Sequence, residues 1–387
     1  YYVEGENGAK LPVLDTNSDN PAEVERRLKE WQDTKMKELE QKYNVQFSRD
    51  GQKDSPLGRE VNLRSPRVNE LMAMEEGLAK SQPSTTTLNG KPILVQFAVE
   101  PTSAAAAYVL PKGDQQRILF EPVQRDYTII KDNILHEWAH NAQHTMETRD
   151  KAALDRHYAE LGYRKVSTPD GGEQWQFRDK DGKYWAQGPD QPWHGTWTRV
   201  DDQGRPLKTD GTLASGWGDP QAANQSNSQM RDNADVKPSS VKDYFTRPWE
   251  GSAESIRNYR SSVADRTRLY VVDPKNYEST KKFDQAELDS DPRYGRNPDG
   301  TSKYIRLPDG TVGENNEANR KAVADFEATL PAARAAAEQQ KLQQQQQQRT
   351  NQSNEVKPGG GKLQNKQNTP DVPVLPSHDP GCMCGNH

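Results

Sequence analysis

The sequence predicts an α+β fold with a small mixed sheet, and three observations carry that expectation. Helical spacing of apolar residues occurs twice within the first eighty positions, short β-rich runs follow, and helical spacing then returns around a pair of histidines. Asn20, Pro21 and Glu23 stand as N-cap, first-turn proline and third-position carboxylate. Val24, Leu28, Trp31, Leu39 and Tyr43 continue them as an amphipathic helix. Ser65 and Pro66 repeat the start signal before Val68, Leu71, Met72 and Leu78, so a second helix should end near Lys80. The apolar runs 92–99, 108–110 and 117–120 read as strands, and 128–146 as the next helix.

From Tyr163 to Gly211 the chain reads as a β insertion. Aromatic runs alternate there with turn signals at Asp170-Gly171, Asp181-Gly182, Gln203-Gly204 and Asp210-Gly211. The polar stretch 214–240 reads as a loop, and a helix opens near Pro248 and runs to about Val263. A last helix is expected from Asn316 to about Gln346, interrupted by Pro331. Six glutamines, Gln343 to Gln348, lead into a segment with too little apolar surface to fold. The expected organisation is a helical N-terminal region (1–85), a central domain with its insertion (86–335) and a Gln-rich disordered tail (336–387).

Composition excludes several classes of function. With 31% hydrophobic residues and no apolar run near the roughly 18 residues a bilayer span needs, no membrane-spanning segment is expected. A net charge of −5 and the absence of a dense basic stripe place nucleic acid last among partners. Both cysteines, Cys382 and Cys384, lie close to the C-terminus, so packing, with any bound metal, must hold the fold. The chain opens at Tyr1 without an initiator Met or a signal-peptide pattern, which reads as a processed product or a piece of something longer.

The chemistry concentrates in His136-Glu137-Trp138-Ala139-His140, an HExxH run inside the helical segment that also holds Ile130, Ile134 and Leu135. Residues four apart on an α-helix leave the same face about 6 Å apart along the axis, so both imidazoles can share one ion. With seven histidines in the chain, composition alone predicts about 0.008 such matches. The competing explanation, two histidines merely hydrogen-bonded in the core, is the weaker one. A catalytic zinc takes three protein ligands and leaves a position for water, so a third ligand is needed. Gln143 and Met146 occupy the positions where a metzincin carries glycine and its third histidine, which excludes that class. His144 lies about 12 Å along the helix from His136, too far to join the pair, and is left to support a ligand or to sit at the surface.

A glutamate four residues before a second acidic residue is the other common solution. Downstream of His140 that pattern occurs as Glu250 with Glu254 and as Glu287 with Asp291. The latter runs into Pro292 and reads as a turn. The former lies in a helical stretch opened by Pro248, so Glu250 is the expected third ligand, with Glu254 as the fallback. The competing role for Glu250 is that of an acidic residue placed at a helix N-terminus by the macrodipole.

HExxH on one helix and Glu250-Gly251-Ser252-Ala253-Glu254 on a later one resemble the gluzincin class of zinc metallopeptidases, and the second run is most similar to the ExxAE segment of the anthrax lethal factor-like branch. The resemblance covers these two segments, and Gly251-Ser252 replace that branch's aromatic pair. It implies a zincin-like catalytic domain over 86–335 and Zn²⁺ held by His136, His140 and Glu250. It also implies that Glu137 acts as general base, that Glu254 orients a histidine through its other ring nitrogen, and that a tyrosine upstream of the glutamate stabilises the oxyanion. Tyr244 is the candidate for that last role and Tyr259 the reserve. The 117–120 strand stands where an extended peptide could pair.

The expected activity is zinc-dependent hydrolysis of peptide bonds in a protein substrate. The setting would be a secreted effector or toxin, released from a larger delivery protein and acting in a target cell. A cell-wall peptide hydrolase and a non-catalytic module stabilised by zinc are the alternatives. Trp175, Trp185, Trp193 and Trp197 suit either a glycan- or protein-binding surface or, the favoured reading, the small core of a minor sheet. Asp179-Lys180-Asp181-Gly182 reads as a turn rather than a calcium loop. His378, Cys382, Cys384 and His387 suit an inhibitory cap on the zinc, a second metal or an unstructured tail with reactive thiols.

Overall fold

The computed structural model describes residues 1–15, 20–55, 60–85, 89–101, 106–109, 116–120, 126–169, 171–188, 196–238 and 247–355. Among the described residues are nine helices and several small sheets, none closed, so the architecture is mixed α+β. The helices are α1 (Pro21–Tyr43), α2 (Val68–Lys80), α3 (Tyr127–Arg149), α4 (Lys151–Glu160), α5 (Asn227–Asn233), α6 (Pro248–Ser261), α7 (Val263–Val272), α8 (Pro274–Ser290) and α9 (Glu317–Glu355). No helix among the described residues is long and apolar enough to cross a membrane.

The start of α1 is as expected, with the Asn20 side chain accepting from the Ala22 N–H at 3.1 Å. Helix α2 starts later than Ser65-Pro66 suggests. The Glu70 carboxylate accepts from the Arg67 N–H at 2.5 Å and is held by Nη1 and Nη2 of Arg64, each at 2.7 Å, which moves the cap to Arg67. Strand Ile93–Ala98 is the spine of a six-stranded sheet. It runs parallel to Arg117–Phe120 on one side; on the other it pairs first with Val45–Phe47, parallel, and then with Val61–Arg64, antiparallel. Strand Lys53–Asp54 extends the sheet beyond Val61–Arg64, and Ala106–Val109 pairs antiparallel with Arg117–Phe120.

That order corrects one expectation. Arg117–Phe120 is bonded on both sides and cannot receive a peptide; among the described residues the outer position falls to Ala106–Val109. The physical reason is legible in hindsight. Ile118, Leu119 and Phe120 are consecutive and all buried, as in an interior strand covered on both faces.

Phe47, Phe97 and Phe120 from the sheet, Leu71, Met74 and Leu78 from α2, and Ile130, Ile134 and Trp138 from α3 form the main core. Burial of these side chains, each worth roughly 1.5–3 kcal/mol, fixes α3 against the sheet and α2. The approach of α2 to α3 requires glycine, because a Cβ at Gly77 would lie 2.6 Å from Ile134 Cγ2. Asp126 then caps α3, accepting from the Thr128 and Ile129 N–H groups at 2.8 and 3.1 Å.

The insertion is a five-stranded antiparallel sheet built from Tyr163–Ser167, Glu173–Arg178, Tyr184–Ala186, Thr196–Val200 and Asn224–Ser226. It is longer than expected, since part of the polar stretch supplies the last strand and α5. Met230, Ala234 and Val236 from that stretch are buried against Phe177, Trp185 and Trp197, an apolar trio too sparse to register as periodic. Trp185 and Trp197 are core residues whose indole N–H groups donate to Asp179 and Asn227, both at 2.8 Å, and Trp175 packs against them partly buried. The minor-core role therefore accounts for these three, while Trp193 lies outside the described residues. Asp179 also accepts from the Asp181 and Lys183 N–H groups, so its loop is the turn expected.

Two further expectations change toward the C-terminus. Helix α9 passes through Pro331 without interruption, and the neighbouring Leu330 is buried with Tyr259, Leu269 and Tyr277. It also continues to Glu355, so 336–355 are helical, consistent with their content of strong helix formers such as Ala, Gln and Lys, and 336–351 are largely exposed. His378, Cys382, Cys384 and His387 lie outside the described residues.

Gly77→Ala should lower stability by about 1–3 kcal/mol despite the better helix propensity of alanine, because the added methyl has to displace Ile134. Urea denaturation of both proteins checks this, and an unchanged or raised midpoint would refute the close-packing account of the α2–α3 contact.

Candidate metal centre

Two helices build the site. Ala139 and Ala142 of α3 share a buried cluster with Ala253 and Ile256 of α6, and such short side chains let the two helices approach closely. His136 and His140 leave the facing side of α3 one turn apart, and Glu250 leaves the first turn of α6, which Pro248 opens. His136 Nε2 lies 3.1 Å from Glu250 Oε2 and 3.2 Å from His140 Nε2, and His140 Nε2 lies 3.5 Å from the same carboxylate oxygen. All three side chains are buried, and this is the one group of potential metal ligands among the described residues whose atoms converge.

Three proton acceptors at such separations repel one another unless protons or a cation lie among them. Two imidazole nitrogens and a carboxylate oxygen this close together could hold one metal ion. The second carboxylate oxygen, Glu250 Oε1, is buried and finds no hydrogen-bond partner among the described residues, which again suits a ligand carboxylate.

Glu254 sits one turn beyond Glu250, its Oε1 3.3 Å from His136 Nδ1. Its other oxygen accepts from Arg257 Nε at 2.8 Å, and Arg257 Nη1 reaches Asp132 Oδ2 at 3.0 Å, one turn before His136 on α3. The chain of charges thus closes from α6 back onto α3. Burial raises the Glu254 carboxyl, but Arg257 and His136 outweigh it and bring its pKa down to about 2. For Glu250 burial also acts upward, and the adjoining imidazoles, His140 first, hold it well below the usual carboxylate range. Asp132 moves the other way, raised by burial against the pull of Arg257.

Gln143 bridges the same two helices, with Oε1 3.0 Å from His140 Nδ1 and Nε2 donating to the Trp249 carbonyl at 2.7 Å. Glu137 is fully buried next to His136. His144 is half-buried and 3.8 Å from Glu147, away from the pair, as expected of a residue too far along the helix.

Tyr244 lies outside the described residues. The reserve, Tyr259, stands nine residues beyond Glu250, about 13.5 Å along α6, and packs with Leu269, Tyr277 and Leu330, so it is a core residue rather than a candidate for the oxyanion. The Glu287 and Asp291 pair was expected to form a turn. Glu287 is instead inside α8 and bound to Arg260, while Asp291 does open a turn at Pro292, its carbonyl accepting from the Tyr294 N–H at 3.1 Å and its side chain from Arg149 at 2.8 Å. Arg260 also donates to Asp284 and Ser84, both at 2.7 Å, and Asn141 of α3 donates to the Ser84 carbonyl. This acidic pair holds α8 behind the site.

Asp132, Gln143, Arg257 and His157 are supporting residues not foreseen. Asp132, His136 and His140 lie on one stripe at intervals of four, and Arg257 follows Glu254 by three, so helical spacing held the signal for both. His157 had none. It is buried on α4, stacked on Phe283 with centroids 4.7 Å apart, and its ring nitrogens meet Ser252 Oγ of α6 at 3.0 Å and Ser279 Oγ of α8 at 2.9 Å.

No protein-family model, no curated protein and no solved structure matches this chain.

Burial drives the His157 pKa down from 6.5 to about 3, against a smaller upward effect of Ser279. Below pH 6.5 the unfolded chain takes up a proton that the folded chain refuses until about pH 3. This contribution to stability is therefore complete above 6.5 and is lost as pH falls towards 3. Urea unfolding of metal-free protein from pH 7 to 4 should show the decline, and His157→Gln should flatten it; an equally steep decline in the variant would refute the assignment.

Proposed function

We propose that this chain is a zinc-dependent peptidase of the gluzincin type with a zincin-like catalytic domain. The observation that carries the reading is the convergence of His136 Nε2, His140 Nε2 and Glu250 Oε2 within 3.1–3.5 Å, contributed by two helices, with Glu137 buried beside the first histidine. A zinc ion held there would supply Lewis acidity and lower the pKa of bound water towards ~7.

The chain's own residues would do the rest. Glu137 takes the proton from the attacking water as the new C–O bond forms and returns it to the leaving amine as the C–N bond breaks. Glu254 holds the proton on His136 Nδ1, so that Nε2 presents its lone pair. Tyr244 remains the candidate donor to the developing oxyanion. Strand Ala106–Val109, at the outer edge of the sheet among the described residues, is the place where an extended peptide backbone could add by strand pairing. That mode of binding favours a protein or unfolded peptide substrate. The burial of Trp185 and Trp197 removes two of the aromatic residues that a glycan-binding surface would have used.

Glu137→Gln should cut cleavage of a quenched fluorescent peptide library by about 10²–10⁴-fold while zinc content and fold persist. Glu250→Ala should lose most of its zinc, measured by elemental analysis after metal-replete purification. Zinc retained in the wild type with no cleavage of any peptide would point instead to a module stabilised by metal, and a wild type free of zinc would overturn the proposal.

A further inference from the structure

We infer that Gln143 is a positioning residue for the metal ligand His140, and that it sets this imidazole's tautomer through a tether to α6. The inference rests on the metal-site reading above and adds to it a residue that no HExxH pattern specifies. Its premise is the direction of one hydrogen bond. The Trp249 carbonyl can only accept, so the Gln143 group that faces it at 2.7 Å must be the NH₂. The amide oxygen is then the atom 3.0 Å from His140 Nδ1. A carbonyl oxygen there requires Nδ1 to carry the proton, which leaves the lone pair on Nε2, the atom that faces His136 and Glu250.

The two histidines are therefore oriented by different means. A carboxylate, Glu254, faces Nδ1 of His136, whereas a neutral amide faces Nδ1 of His140. The amide adds no negative charge to a site that already contains Glu250, Glu254 and Glu137, all buried. Because Trp249 directly precedes Glu250, the bond to its carbonyl also fixes the backbone from which the third ligand springs. A single side chain thus couples the position of one ligand to that of another on a different helix. Gln143 is itself buried, so water competes little for either bond.

The test has two readouts on the full chain. In metal-free protein at pH 8, nitrogen-15 shifts of the His140 ring, assigned by comparison with His140→Gln, should show the Nδ1–H form; in Gln143→Leu they should show a mixture. Zinc affinity, measured by chelator competition, should fall by about 10–100-fold in Gln143→Leu. Gln143→Glu, which keeps an acceptor opposite Nδ1 but cannot donate to the Trp249 carbonyl, should restore the tautomer while recovering the affinity only in part, a separation of the two readouts that a purely structural role would not give. Circular dichroism verifies that each variant is folded. An Nε2–H ring in the wild type overturns the inference, as does a folded Gln143→Leu that binds zinc as tightly as the wild type; the latter leaves the metal site standing. A wild type that takes up no zinc overturns the proposed function and the role of Gln143 in it together.

Discussion

The contact between α3 and α6 is the constraint on which the rest of the structure depends. Two histidines of one helix and two glutamates of the other, His136, His140, Glu250 and Glu254, are buried along it, with the half-buried Asp132 and Arg257 closing the chain. Removing one member of a buried charge pair typically costs about 3–5 kcal/mol, because the other is left uncompensated in a medium that solvates it badly. Such an arrangement persists only if the surrounding helices hold it within tenths of an ångström. Small residues at the contact, Ala139, Ala142 and Ala253, supply the proximity, and the charges supply the register. A slide of one turn along α6 would carry Arg257 away from Asp132 and Glu250 away from both histidines.

The layers behind these helices serve the same end. The sheet and α2 grip the apolar stripe of α3, with Gly77 setting how deeply Ile134 can seat. On the opposite side α8 binds α6 through Asp284 and Glu287 on Arg260, and Arg306 donates to Asp284 from the segment beyond α8. Helix α4 closes the remaining side, where the neutral ring of His157 touches Ser252, midway between Glu250 and Glu254, and Ser279 of α8. A charged residue in that position would need a counter-ion in an apolar cluster; a neutral imidazole satisfies both serines without one. The insertion follows α4 with a core of its own, and its last segment is tied to the start of α8, where Asp273 accepts from the Lys237 N–H and Lys275 donates to Asp235.

How much of this the sequence discloses follows from the range of the interactions involved. His136, His140, Glu250 and Glu254 were legible because helical spacing converts a four-residue interval into a shared face, a relation confined to one turn. The caps at Asn20 and the strands around Ile93 and Ile118 were legible for the same local reason. Strand order was not, since Arg117–Phe120 and Ala106–Val109 exchange roles according to which long-range pairing forms. The bond from Gln143 to Trp249 spans more than one hundred residues and leaves no periodic trace. Helix α5 and the last strand of the insertion escaped because three apolar residues suffice to anchor a polar segment once a sheet offers them a hydrophobic face.

These restraints bear on how the site would meet its metal. In small metal-dependent domains the ligands are brought together only by the ion, and binding free energy is folding free energy. Here the ligand helices are positioned by contacts that do not involve the ion: alanine packing, the Asp132–Arg257–Glu254 chain and the Gln143 bridge. Two imidazoles and a carboxylate held in this way give up little conformational entropy on binding, and their mutual repulsion is relieved by the cation. The cost of assembling like-natured donors is met during folding by the helices, so the ion would enter a preformed site. That division of labour suits a metal that must keep one coordination position exchangeable, because the protein's geometry, rather than a closed set of ligands, retains it.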